Sequence, residues 1–64
     1  MAKNQRLRTA RVLAGLTQLQ LAEKVGTKGI EISRFETGRA RPDAEAKQRI
    51  ACVFQKPEME LFES

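Results

Sequence analysis

The sequence predicts an all-α fold, on three observations. Glycine and proline at Gly15, Gly26, Gly29, Gly38, Pro42 and Pro57 divide the chain at short intervals. The segments between them have helical composition and almost none of the alternation of β-strands. With Cys52 the only cysteine and no histidine, neither a disulfide nor a zinc site can staple a small core within the chain, so helix packing must hold it.

The first helix is predicted from about Asn4 to Ala14, with Leu7, Ala10, Leu13 and Ala14 sharing a face and Gly15 as its stop. Thr17 opens the second as its N-cap: the hydroxyl can accept an orphan amide, and Gln20 completes a capping box. Leu21, Ala22 and Val25 form the inward stripe, and Gly26 follows where a left-handed residue costs least. The third helix, from Lys28 or Gly29 to Thr37, sets Ile32 and Phe35 on one face and stops at Gly38. Only Gly26 to Lys28 separates it from the second helix. Such a tight, glycine-containing turn marks a helix-turn-helix, here over residues 17–37. Asp43 caps a fourth helix, Ala44 to about Gln55, with Ile50, Ala51 and Phe54 inward. Pro57 can start a final turn at its first position, anchored by Leu61 and Phe62.

A chain of 64 residues has a core for one domain, expected to span residues 1–64. At 41% hydrophobic and 31% charged it has the composition of a globular protein rather than a disordered one. No apolar run approaches the roughly 18 residues of a membrane helix or forms a signal peptide, and the lone thiol suits a reducing compartment, so a cytoplasmic location without membrane contact is expected. The net charge of +4 is unevenly spread: residues 1–41 hold nine Lys/Arg against three Asp/Glu (+6), and residues 42–64 hold three against five (−2). A basic body suits a polyanionic partner, although a solvated charged surface would look the same. Without histidine, metal ligands or paired carboxylates in a plausible cleft, the chain offers nothing for acid–base or nucleophilic work and no cofactor site.

The stretch Leu16-Thr17-Gln18, Leu21-Ala22-Glu23-Lys24-Val25-Gly26, Ile32-Ser33-Arg34-Phe35-Glu36-Thr37-Gly38 and Arg41-Pro42 resembles the Cro/repressor (xenobiotic-response-element-like) family of helix-turn-helix regulators. The resemblance runs from Leu7 to Phe62 and implies a compact five-helix domain whose third helix enters the DNA major groove. It implies that Lys28, Gly29, Ile30, Ser33 and Arg34 face bases, and that Thr17, Gln18, Thr27, Arg39 and Arg41 hold phosphates. It also implies a structural ion pair between Arg11 and Glu36.

Physical chemistry supports several of these roles. Gln18 lies at a helix N-terminus, which favours phosphate; Arg34 has a planar fork that matches guanine O6 and N7; Arg39 and Arg41 sit in the loop after the recognition helix. Family members usually carry Gln, Arg or Ser at the positions of Gly29 and Ile30, and Ser or Thr at that of Lys28. Gly29 reaches no base edge but allows close backbone approach, Ile30 matches only a thymine methyl, and Glu31 repels phosphate unless it accepts from a cytosine amine.

The reading that follows is a sequence-preferring regulator of double-stranded DNA, expected as a homodimer with Met59, Leu61 and Phe62 at a two-fold interface or against the fourth helix, and with no small-molecule ligand. Phage repressors, antitoxins and restriction-control proteins share this frame, and the residues do not choose among them. The alternative is a protein-interaction module that kept the fold and lost base readout, motivated by Gly29, Ile30 and the apolar Val12, Leu13, Leu19 and Val53, which stand where relatives tend to be polar; Val12, Leu19 and Val53 are expected to be exposed. Lys47 stands where relatives carry a core leucine, and Cys52 reads as a buried or half-buried small hydrophobe.

Overall fold

Most helices begin where a side chain can satisfy the first free amides. In the computed structural model, which describes residues 3–62, Asn4 caps α1 (Gln5–Leu13) by accepting from Leu7 N at 3.0 Å. Thr17 caps α2 (Gln18–Val25) with the full capping box, its Oγ1 accepting from Gln20 N at 3.0 Å and Gln20 Oε1 accepting from Thr17 N at 2.9 Å. Asp43 caps α4 (Ala44–Phe54) by accepting from Ala46 N at 2.8 Å. Two starts lack such a bond. Lys28 precedes α3 (Gly29–Thr37), and Pro57 precedes α5 (Glu58–Leu61) as its N-cap rather than its expected first residue.

The four longer helices stop in one way. A backbone amide returns to the carbonyl five residues earlier, from Leu16 to Arg11, Thr27 to Ala22, Arg39 to Arg34 and Lys56 to Ala51. The reversal requires a left-handed residue just before that amide, and Gly15, Gly26 and Gly38 supply it at little cost. At the fourth end the left-handed residue is Gln55, φ 53° and ψ 43°, which is why α4 ends at Phe54 and not at Gln55.

The largest fully buried side chains come one from each helix: Leu7, Leu21, Ile32, Ile50 and Leu61. Each is worth roughly 1.5–3 kcal/mol relative to exposure, so every helix is tied to the core by one such anchor. α2 packs on α3 and α4, α1 on α3 and α5, and α4 on α5. Asn4 adds a polar tie among three helices: its Nδ2 donates to Leu61 O at 2.8 Å and its backbone amide donates to Glu36 O at 2.9 Å.

Four apolar expectations fail on helical geometry. Leu13 is 80% exposed, because six residues at about 100° each carry it about 120° round from Leu7. Ala14 is exposed as the C-cap of α1, where the chain is already turning at Gly15. Val53, expected at the surface, is half-buried against the core because it lies three residues after Ile50 on the same face of α4. Cys52, expected inside, is two residues from Ile50 on the far side and is exposed. Val12 and Leu19 are exposed as expected, and Lys47 is half-buried. Among the described residues there is no strand, and no helix is long and apolar enough to cross a membrane.

Candidate nucleic-acid interface

The orientation of α3 is fixed from its inner side. Ile32, Phe35 and Glu36 are its buried residues, and Glu36 is the only buried charge in the core of the described residues. Arg11 grips that carboxylate with both arms of its fork, Nε to Oε2 at 2.6 Å and Nη2 to Oε1 at 3.2 Å, and its Nη1 donates to Leu16 O at 2.9 Å. Gln18 Nε2 donates to Glu36 Oε1 at 3.2 Å. One acid near the end of α3 is thus held by α1 and by the first turn of α2. A buried charge is tolerable only with such complete pairing, and no buried side-chain polar atom among the described residues lacks a partner. The ion pair was legible in the sequence. Gln18 as its third member was not, because a glutamine at a helix N-terminus carries no sign of which way its amide points.

The turn between α2 and α3 is held as firmly. Ala22 O accepts from both Gly26 N at 2.8 Å and Thr27 N at 2.9 Å, and Arg49 of α4 reaches Val25 O at 3.4 Å. A Cβ built on Gly29 would meet the Leu19 backbone at 3.6 Å, so that side of Gly29 faces the start of α2.

The outer side of α3 carries the remaining residues. Ile30 is 55% exposed, Ser33 half-buried and Arg34 exposed; the spacing of three and four residues puts them on one face. Lys28 is exposed at the head of the helix, and Arg39 and Arg41 are exposed beyond Gly38 in the loop to α4. Thr17 is exposed with its hydroxyl engaged by the cap, and Thr27 is half-buried in the turn. Glu31 also faces out, its Oε1 3.7 Å from Arg34 Nη1.

A pair of packed helices joined by a short turn at a left-handed glycine, with the second helix buried on one side and basic at both ends of the other, agrees with the comparison with protein families. The helix-turn-helix family model matches residues 7–61. The chain belongs to the Cro/C1-type helix-turn-helix family. Among solved structures it is similar to the restriction-modification controller protein C.AhdI from Aeromonas hydrophila, with a TM-score of 0.85 and 29% identity over 92% of this chain and 89% of that one. It is also similar to Bacillus thuringiensis PlcR, solved with the peptide PapR7 and DNA, with a TM-score of 0.83 and 36% identity over 97% of this chain. This chain spans only 22% of PlcR. No curated protein matches it by sequence. Membership in this helix-turn-helix family makes the chain a DNA-binding transcription regulator and not an enzyme.

Proposed function

We propose that this regulator prefers particular sequences of double-stranded DNA and reads them by laying α3 in the major groove. The observation that carries the reading is the division of α3 into a face locked by Ile32, Phe35 and the Arg11–Glu36 pair and a face that presents Ile30, Ser33 and Arg34. A helix held from behind presents its outer side chains in a fixed register, which base recognition requires. Arg34 grips guanine O6 and N7, Ile30 meets a thymine methyl, and Lys28, Gly29 and Ser33 lie along the same edge. Thr17 and Gln18 at the N-terminus of α2, and Thr27 in the turn before α3, face the phosphates; the Gln18 amide has a second hydrogen for a phosphate while the first stays on Glu36. Arg39 and Arg41 hold the backbone from the loop.

The regulator acts as a homodimer, because one module of this size buries too little surface for useful discrimination. Met59 is 73% exposed on α5 and is the apolar side chain offered to a second copy, while Leu61 anchors α5 to the core. Two recognition helices then stand about 34–36 Å apart on one face of the duplex.

Selection of bound sites from a random duplex pool, followed by affinity measurements across a salt series, tests the reading. The expected result is a palindromic site, with log affinity falling linearly against log salt by about 0.9 per phosphate neutralised. A pool with no preferred sequence and a flat salt response would instead favour a protein-interaction module, for which Leu19 and Ile30, 61% and 55% exposed, would be the contact surface.

A further inference from the structure

Glu31 is the one acid of α3 that the fold does not use. Glu36 is buried and held by Arg11, whereas the Glu31 side chain is 37% exposed on the helix surface and its ion-pair partner is Arg34, 53% exposed. An acid in the first turn of a helix suits the helix dipole, but so would an acid anywhere on that turn, and this one stands beside the guanidinium that faces DNA. On a helix that approaches a polyanion, an uncompensated carboxylate weakens binding to every duplex alike. It is useful only if some base repays it.

We propose that Glu31 and Arg34 form a two-residue reading unit in which Glu31 is the specificity-determining acceptor for a cytosine amine, next to the guanine gripped by Arg34. The inference rests on the placement of α3 in the major groove. Three residues of α-helix rise about 4.5 Å, close to the roughly 3.4 Å between successive bases, so the two side chains address neighbouring base pairs rather than one. Their chemistry is complementary to such a step: the guanine edge offers two acceptors to the donor fork, and the cytosine N4 amine is the donor a carboxylate accepts from. At 3.7 Å the two side chains attract without forming a hydrogen bond, so the fork keeps its donors and the carboxylate its lone pairs. An exposed pair of this kind is weak enough for both members to turn to the bases. Each holds the other near its reading position until they do.

The full chain and its E31Q and R34A variants would be put through the same selection from random duplexes, with thermal unfolding to confirm that each folds. The wild type is expected to select a guanine with a cytosine at the adjacent base pair. E31Q removes the charge and adds a donor, so it is expected to bind scrambled duplexes several-fold more tightly and to exchange the cytosine preference for adenine, the base a glutamine amide matches. Its ratio of preferred to scrambled affinity on the wild-type site should fall about tenfold, while R34A relaxes only the guanine position. A wild type that selects a site which E31Q leaves unchanged, or relaxes only at the position relaxed by R34A, overturns this inference and leaves the major-groove reading intact. A wild type that selects no sequence overturns both.

Discussion

The two faces of α3 differ in what a side chain is allowed to do. On the inner face Ile32 is fully buried, Phe35 is 8% exposed, and Glu36 makes hydrogen bonds to Arg11 and Gln18. On the outer face Ile30 is 55% exposed, and Glu31 and Arg34 share one long ion pair. On the proposed reading, a mutation on the first face changes whether and how the helix is presented and a mutation on the second changes which sequence it prefers, so stability and recognition should be separable on one nine-residue helix.

The largest expected effect is at the inner anchor. Ile32→Ala should destabilise the fold by about 4 kcal/mol, lost transfer energy and a residual cavity together, measured by chemical denaturation. For a domain this small that is most of the stability, and a loss under 1 kcal/mol would mean that α3 is not anchored there. Glu36→Ala follows at about 3 kcal/mol, because the Arg11 guanidinium, 13% exposed, is left without its carboxylate. Any DNA affinity lost in this variant should be lost for preferred and scrambled duplexes alike.

Crossing to the outer face should reverse the pattern. Arg34→Ala is expected to leave unfolding within about 0.5 kcal/mol of the parent while costing about 1–3 kcal/mol at the preferred site and relaxing one base pair. Arg39→Ala is the control: it should weaken all sequences nearly equally and lower the salt slope by about one. If Arg34→Ala weakens both duplexes by one factor, the base reader lies elsewhere on α3.

The smallest effect lies on the boundary between the faces. At Gly29 an added Cβ meets Leu19 at ordinary van der Waals distance and the backbone is not left-handed, so Gly29→Ala should stabilise by about 0.5 kcal/mol through the unfolded chain. A destabilised variant would show that α2 and α3 approach too closely for any side chain there.

The inner face was legible in the sequence because burial is periodic: Leu21, Ala22, Val25, Ile32 and Phe35 stand at helical spacing, and caps at Thr17 and Asp43 carry a recognisable chemistry. Periodicity failed at the end of α1, at Leu13 and Ala14, whereas Cys52 and Val53 were read from residue type and from the pattern of relatives, although their spacing from Ile50 accounts for both. The end of α4 was misplaced because its left-handed residue is Gln55, and glycine is the signal by which such ends are found. The candidate site was only partly legible for a different reason. The resemblance to the family pointed to Arg34 and implied the Arg11–Glu36 pair, but the partnerships of Gln18 with Glu36 and of Glu31 with Arg34 depend on where long side chains turn.

The tie made by Asn4 also sets an order of assembly. Its bond to Leu61 joins residues 57 apart, so it closes almost the whole described chain into one loop, whereas α2 and α3 meet across a three-residue turn. By the logarithmic cost of loop closure, bringing ends together over 57 residues rather than about 10 costs about 1.5 kcal/mol more. The helix-turn-helix is therefore expected to form from local encounters more readily than the Asn4 bond closes, and Asn4→Ala should speed unfolding more than it slows folding.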